Sequence, residues 1–543
     1  MMHISPSTLP EQSTKTPPVV WSIAGSDSGA GAGIQADLRA FQVFGVHGCS
    51  AVAALTAQNS VSVERIEATS PEMLDVQLAA LASDMPPVAI KTGMLANVAN
   101  VAVVVKWVDQ LRAQYPERHI ALVVDPIRYA SSGAEFACEE MRKAIVHDLL
   151  PRATLIKPNF AEAFWLVHGQ DIRGAQPDID LLKEMPQLAK TLQQWGAKAV
   201  VITGGDIQKN AAVVADWMET PQACGWLTQA RIAQTFTHGT GCTFTASAAA
   251  ALALDFCEAD AIILAKMATG DAIRNGYHAG SGCGPAMVTP NFAMQSDLLP
   301  ILQNRYEESA VQPFTALQDE WMGLYPVVDS ADWVERVVRA GARTVQLRIK
   351  SGAAQGRDQN HLSEQIKRSV ELTREAGVQF FVNDYWQLAI EHGAYGVHLG
   401  QEDLFDADLD AIRKAGLRFG VSSQSLWELC RAKATKPSYI ACGPIYATQT
   451  KDMPWHPQGT HNLAYWCHMV QEPVVAIGGI DIQRSTEVVR AGAKGIAVVS
   501  AITQAKDPQA AVAVLQDAIT QGRRQGSIVA PRLLHTTLSR IRG

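Results

Sequence analysis

Apolar and polar positions along the 543-residue chain fall into two rhythms, one before and one after about residue 310. Before it, short β-branched runs alternate with longer helical patterns. The runs are PVVWSIAG (18–25), PVAIKTG (87–93), IALVVDP (120–126), ATLIKPN (153–159) and AVVITGG (199–205). Their spacing predicts βαβ crossovers in a mostly parallel sheet. Gly, Thr, Asn or Asp stands at or near the end of each run, where open α/β sheets gather ligands. After residue 310 the beat tightens to GLYPVVD (323–329), TVQLRIK (344–350), QFFVND (379–384), YGVHLG (395–400), RFGVSS (418–423), YIACGPI (439–445), PVVAIGG (473–479) and GIAVVSA (495–501). Eight strand-like runs separated by helical stretches predict a (β/α)8 barrel with its site at the C-terminal strand ends.

This pattern divides the chain into a tail at 1–17, an α/β domain at 18–300, a linker at 301–320, a barrel at 321–525 and a basic tail at 526–543. A polar helical segment is expected in the connection at 291–320. From 523 onward stand Arg523, Arg524, Arg532, Arg540 and Arg542 without an acid. A solvated tail is expected there rather than a nucleic-acid or lipid contact.

Composition narrows the class. The chain is 47% hydrophobic and 18% charged, enough apolar material for large cores. Its net charge of −7 excludes a generally basic surface for nucleic acid or membrane. No apolar run approaches the ~18 residues of a membrane span. Residues 1–17 lack the apolar core of a secretory signal. Nine cysteines, an odd count without a C-x-x-C pair, fit a reducing cytoplasm. The expectation is a cytoplasmic enzyme of small-molecule substrates, and association of the chain with itself is compatible with it.

Two glycine elements carry the chemistry of the first half. Gly25-Ser-Asp-Ser-Gly-Ala-Gly-Ala-Gly33 follows the first strand and lets backbone approach a ligand closely. It lacks the downstream acid of a dinucleotide fingerprint. Thr237-His-Gly-Thr-Gly-Cys-Thr243 precedes an Ala-rich helix. Gly239 and Gly241 there allow inward-turned N–H groups at a helix N-terminus, an anion cradle. Cys242 sits at that N-terminus, a placement that can lower a thiol pKa, where it serves either as an acid/base or simply as pocket lining. Asp125 ends a strand, and Asn159 and Glu162 form N-x-x-E at a strand-to-helix junction, suited to water-mediated Mg2+ or to capping. Together these suggest phosphoryl transfer.

AGSDSGAGAGIQADL (24–38), AQN (57–59), KTGML (91–95), VVDP (123–126), KPNFAEA (157–163) and THGTGCT (237–243) resemble the hydroxymethylpyrimidine and phosphomethylpyrimidine kinases of thiamine biosynthesis. The resemblance implies a ribokinase-like three-layer α/β/α fold and MgATP-dependent phosphorylation of a hydroxymethylpyrimidine and its monophosphate. It implies that Asp37, Gln58 and Met94 contact the pyrimidine. Gly239, Thr240, Gly241 and Cys242 would form the anion hole, and Asp125, Asn159, Glu162, Thr203 and Thr240 would serve ATP. Where the family often reads D-P-V-M-x-x-K-S-G, this chain has Arg128 for an apolar residue and Ser131 for a lysine. A pyridoxal-type kinase and a non-catalytic pyrimidine-sensing module stand as alternatives for this half.

In the second half, Gln346, Arg348 and Lys350 alternate onto one side of their strand. Asn383-Asp384 and Gln401-Glu-Asp403 put carboxylates at neighbouring strand ends, where they can share a hard cation. Ser422, then Thr448, Thr450 and Lys451, then Gly479, and finally Val499-Ser500 follow on later strands. The reading is two anion pockets and one cation position; His398 is expected as a hydrogen-bonded barrel residue. GLYPVVD, QLRIK, FFVNDYWQLA, YGVHLGQEDL, GVSSQS, GPIYATQTK and VVAIGGI…GIAVVSAI resemble thiamine phosphate synthase, a TIM barrel. The resemblance implies that Arg348, Lys350, Asn383 and Lys451 hold a leaving pyrophosphate, with Mg2+ on Asp384 and Asp403. Gln346 and Ser422 would position the pyrimidine, and Gly479 and Ser500 would bind a thiazole phosphate.

Overall fold

A computed structural model of the chain describes residues 16–129, 137–172, 181–206, 211–306, 311–350, 359–448 and 454–538. Ten strands form the first sheet: β1 (Val19–Asp27), β2 (His47–Gln58), β3 (Val63–Ala68), β4 (Ala89–Thr92), β5 (Ala121–Val124), β6 (Leu155–Ile156), β7 (Ala199–Ile202), β8 (Val213–Glu219), β9 (Cys224–Ala230) and β10 (Ile301–Gln303). Their order is β10-β9-β8-β7-β6-β5-β4-β1-β2-β3. The five runs read from sequence are β1, β4, β5, β6 and β7, parallel as expected. β3 at one edge and β8, β9 and β10 at the other are antiparallel.

Central strands such as β4 and β5 are buried along their whole length, because helices cover both faces. Val20, Ala89 and Ala121 face one apolar layer, with the helices Thr240–Ala253 and Glu258–Arg274; Trp21, Ile90 and Leu122 face the other, with Val98–Gln114 and Phe160–His168. The result is three layers, α/β/α.

The second half is a closed barrel of eight parallel strands. They are β11 (Gly323–Val328), β12 (Thr344–Leu347), β13 (Gln379–Asn383), β14 (Gly396–Leu399), β15 (Arg418–Ser423), β16 (Tyr439–Cys442), β17 (Val474–Ile477) and β18 (Gly495–Val498). Its interior is filled by side chains, including Tyr325, Phe381 and Tyr439. A Cβ on Gly420 would lie 2.1 Å from the Tyr439 ring, so glycine makes room for that aromatic layer. Among the described residues, no helix is long and apolar enough to cross a membrane.

Two expectations are corrected. The connection at 291–320 forms no polar helix among its described residues. It holds short 3-10 turns at Phe292–Met294 and Ser296–Leu298, and β10 of the first sheet falls inside the expected linker. The C-terminal segment is docked rather than solvated. The Ile528 amide donates to the Arg490 carbonyl (2.7 Å), His535 and Asn462 exchange two hydrogen bonds, and the His456 amide donates to the Thr537 carbonyl. Thr536 then donates to the carbonyl of Asp255 in the first half. Leu534 and Thr537 are buried. The segment 526–538 is therefore a strap lying across the barrel and onto the α/β domain. The tail at 1–15 and residues 539–543 lie outside the described residues.

The halves also meet directly. Lys433 donates to the carbonyls of Ser296 and Leu299, the Tyr465 hydroxyl to Ala293 O (2.7 Å), and His468 Nε2 stands 2.9 Å from Met294 O.

Candidate active sites

Asp27, the last residue of β1, organises the first glycine element. Its Oδ1 accepts from the Gly29 amide (2.8 Å), and its Oδ2 from Gly31 (3.0 Å) and Ala32 (2.8 Å). His238 brings Nε2 within 3.1 Å of the same carboxylate and 3.3 Å of Gln58 Nε2. Burial raises the Asp27 pKa, but His238 and the loop amides outweigh it and hold the group below the ordinary carboxylate value. At Gly239, φ is +83°, and a Cβ would stand 2.0 Å from the Gly31 carbonyl. Only glycine lets the two glycine elements approach so closely. A cavity of about 310 Å3 opens beside them, lined by Gly29, Gly31, Asn59, His238, Ser281 and Cys283. A narrower recess at the ends of β4 and β5 is lined by Thr92, Met94, Asp125 and Ile127. Gln58 and Met94 thus stand at the carboxyl ends of the sheet.

Beneath the cradle lies a set of buried charges. Lys91 on β4 is fully enclosed, and its Nζ donates to both oxygens of Asp37 at 2.9 and 2.8 Å. The Ser22 hydroxyl donates to Asp37 Oδ2 at 2.6 Å. Asp37 is itself enclosed, which corrects its expected role: its carboxylate is committed to Lys91 and Ser22, beneath the pocket rather than on its wall. Burial opposes the Lys91 charge, yet the Asp37 and Asp125 carboxylates hold its pKa above the ordinary lysine value. Lys157, just beyond β6, stands 3.2 Å from Asp125 Oδ1. A Cβ on Gly241 would come within 3.1 Å of Lys157 Nζ, so this ammonium lies directly under the cradle.

Cys242 corrects a second expectation. Burial pushes its thiol up to about 11, with Lys91 opposing and Asp37 and Asp125 adding to the rise. The helix N-terminus does not make it a thiolate in the free protein, because desolvation penalises the charged form more strongly. Asn159 and Glu162 form a capping box on the helix Phe160–His168: each side chain accepts from the other's amide at 2.8 Å. Burial raises Glu162 to about 7, Lys157 opposing and Asp125 reinforcing. Thr203 sits beside Asn159 as an isolated bridge. Arg128 is spent elsewhere, stacked on Trp165 and paired with Asp171 at 3.6 Å; Ser131 lies outside the described residues.

Sequence reading did not single out Asp27, His238, Lys91 or Lys157. The signal for the lysines was present, since V-A-I-K-T and T-L-I-K-P put a cation on otherwise buried strands, and a buried cation requires a partner.

The barrel floor is a chain of neutral hydrogen bonds. Gln346 Nε2 donates to the Tyr325 hydroxyl (3.2 Å), which lies 2.9 Å from the Tyr439 hydroxyl. His398 Nδ1 is 2.8 Å from that hydroxyl and its Nε2 is 2.9 Å from Ser422 Oγ. Burial and the Arg348 charge lower His398 to about 3, so it remains neutral at physiological pH. The chain joins Gln346 to Ser422, the two residues expected to position the pyrimidine. His398 is a hydrogen-bonded barrel residue, as read from its place inside the strand.

The charged candidates stand on the rim. Arg348 and Lys350 follow β12 and Asn383 ends β13. Asp384 adopts a positive φ of 65°, uncommon for a residue with a side chain. Asp403 Oδ2 accepts from the Gly400 amide at 3.0 Å. Gly479 has φ +63°, and a Cβ there would stand 2.6 Å from Ala447 O, which brings the loops after β16 and β17 together. Val499 and Ser500 follow β18. Thr448 is described; Thr450 and Lys451 lie outside the described residues. Among the described residues no group of three or more His, Cys, Asp or Glu is placed to hold a metal ion.

Two family models match the chain. The family model of phosphomethylpyrimidine kinase matches residues 27–287, and that of thiamine monophosphate synthase matches residues 324–502. A thiamine-phosphate synthase of Proteus mirabilis is 48% identical over 207 residues, 38% of this chain and 92% of the relative. One from Salmonella schwarzengrund is 52% identical over 197 residues, 36% of this chain and 91% of the relative. Among solved structures, a phosphomethylpyrimidine kinase from Clostridium difficile 630 is 28% identical, covering 46% of this chain and 96% of that one, with TM-score 0.38. A pyridoxal kinase from Staphylococcus aureus in complex with ADP is 29% identical, covering 50% and 93%, with TM-score 0.44.

Proposed function

We propose, for a chain that belongs to the thiamine-phosphate synthase family through its second half and matches the phosphomethylpyrimidine kinase family over its first, that both steps run on one polypeptide. The chain is a bifunctional thiamine-biosynthesis enzyme, a phosphotransferase joined to a transferase. In our reading the first half phosphorylates 4-amino-5-hydroxymethyl-2-methylpyrimidine and then its monophosphate, with ATP as co-substrate. The second half couples the diphosphate to 4-methyl-5-(2-phosphoethyl)thiazole. The observation that carries this is the succession of the two matches in one chain: the product of the first step is the substrate of the second.

At the cradle, the amides of Gly239, Thr240, Gly241 and Cys242 would face the transferring phosphoryl group. Lys157 would hold positive charge below it without reorganisation during the reaction. Cys242, held protonated by burial, would orient the phosphoryl oxygens as a donor. Gln58 and Met94 would flank the pyrimidine. Asp125, Asn159, Glu162 and Thr203 would stand toward ATP.

In the barrel, the carbon–oxygen bond to pyrophosphate breaks and the thiazole nitrogen bonds to the freed methylene carbon. Arg348, Lys350, Asn383, Thr448, Thr450 and Lys451 would hold the departing pyrophosphate. Gln346 and Ser422, fixed through Tyr325, Tyr439 and His398, would orient the pyrimidine. Gly479, Val499 and Ser500 would receive the thiazole phosphate. Asp384 and Asp403 fit Mg2+, which commonly takes one or two carboxylates and leaves the rest of its shell to water and phosphate. Bound there, the ion would offset charge on the leaving group.

Supplying the intact chain with the pyrimidine alcohol, ATP and thiazole phosphate tests the reading. Thiamine phosphate, pyrophosphate and ADP are expected. With Asp403→Ala, pyrimidine diphosphate should accumulate instead. Undiminished synthesis in that variant would remove Asp403 from the metal site, and no ATP use by the parent would favour a pyrimidine-sensing module.

A further inference from the structure

The helix Leu426–Thr435 follows β15 directly, so its start fixes where the Ser422 end of that strand stands. A helix start leaves its first amides without partners inside the helix. Ser425 satisfies one of them: its Oγ accepts from the Glu428 amide at 3.3 Å. The Trp427 amide is instead taken at 2.9 Å by Oδ1 of Asp260, on the helix Glu258–Arg274 of the first half. Asp260 is 1% exposed, and the hydroxyl of Thr537 in the strap points at its Oδ2 from 3.4 Å. A carboxylate of the sheet domain, a helix start of the barrel and the strap thus meet at one buried point.

The rest of the loop is braced from within the barrel. Gln401 Nε2 donates to the Ser422 carbonyl (2.7 Å) and the Glu428 carbonyl (3.3 Å). Gln458 donates to Gln424 O (2.7 Å), and the Gln424 amide donates to Glu428 Oε2. Trp466 Nε1 donates to Ser423 Oγ at 2.9 Å. Asp260 reaches the same loop from the other half. Without it, the buried Trp427 amide loses its acceptor, and fraying of the first helical turn is the nearest relief. That fraying would carry the Ser422–Ser425 loop with it.

We propose that Asp260, although it belongs to the kinase half, is a positioning residue for the pyrimidine diphosphate site of the barrel. This rests on the reading that Ser422 orients the pyrimidine. The half that makes the diphosphate thereby also holds in shape the site that consumes it.

The test compares Asp260→Ala and Asp260→Asn in the full chain. Asp260→Ala should raise the synthase KM for pyrimidine diphosphate roughly tenfold, the scale of one or two lost hydrogen bonds. The KM for thiazole phosphate and kinase turnover should stay close to those of the parent. Hydrogen exchange at the Trp427 amide should quicken relative to the middle of its helix. Asp260→Asn keeps one carbonyl acceptor and should fall between parent and Ala. Unchanged synthase constants in Asp260→Ala would overturn the positioning role. So would parallel loss of both activities in both variants, which marks general destabilisation. If the parent itself makes no thiamine phosphate, the functional reading fails separately, and unaltered exchange at Trp427 would overturn the cap on its own.

Discussion

Beneath the cradle of the first half lie Asp37 with Lys91 and Asp125 with Lys157, two carboxylate–ammonium pairs that are almost wholly enclosed. Beneath the strand ends of the barrel lie Gln346, Tyr325, Tyr439, His398 and Ser422, joined by hydrogen bonds and uncharged at neutral pH. The difference follows the chemistry each floor serves in our reading. A phosphoryl group in transfer is a compact polyanion, and charge fixed before it arrives needs no rearrangement. A heteroaromatic ring whose bond to pyrophosphate breaks is served by a floor that orients it, while the cations stand on the rim with the leaving group.

The contrast can be broken most forcefully at Lys91. Lys91→Met would leave Asp37 buried without its partner, at a cost of about 3–5 kcal/mol. Denaturant unfolding should show the sheet half opening early while the barrel's secondary structure persists to higher denaturant, and the synthase KM for pyrimidine diphosphate should rise as the Asp260 contact is lost. A loss below about 1 kcal/mol, the scale of an exposed pair, would show that the charges are not truly enclosed.

A smaller effect is expected in the barrel. Tyr439→Phe removes the hydroxyl shared by Tyr325 and His398 and leaves buried polar atoms unpaired, about 1–3 kcal/mol. Thiamine phosphate formation should fall while ADP formation from the pyrimidine alcohol is unchanged. Equal loss of both would mean that the floor serves stability rather than orientation.

The smallest effect is one of pH. His398 lies at about 3 in the folded chain against an ordinary 6.5. Below pH 6.5 the unfolded chain therefore binds a proton that the folded chain refuses. The stability due to the neutral imidazole is present above 6.5 and is lost as pH falls toward 3. Between pH 6.5 and 5.5 the loss should be about 1 kcal/mol. His398→Gln should flatten that part of the barrel's stability–pH curve; an unchanged slope would remove His398 as its cause.

The repeated elements were legible from sequence because their signal is local. Eight strand runs at a tight spacing predicted the closed barrel, and continuous β-branched runs predicted parallel strands covered on both faces. Gln346 and Ser422 could be placed on their strands because strand alternation and strand ends could be counted. What escaped depends on partners far along the chain. The family resemblance implies Asp37 as a ligand contact, but it turns inward because Lys91, 54 residues on, needs an anion. Cys242 looks activated by its helix, but the depth at which that helix start is buried decides its pKa. The edge strand Ile301–Gln303 is too short to declare itself without Cys224–Ala230 to pair with. The segment IVAPRLLHTT has no periodicity, and only its grooves on both halves give it a conformation.

That strap also sets an order of events during synthesis. Residues 526–538 follow both cores in the chain, so a ribosome delivers Thr537 only after the sheet and the barrel have been made. Domains generally fold as units as they emerge. The sheet half can therefore finish folding alone, the barrel can form beside it, and the junction at Asp260 closes when the strap arrives. Nascent chains halted before 526 would carry both cores and their direct contacts without the strap that lies across them.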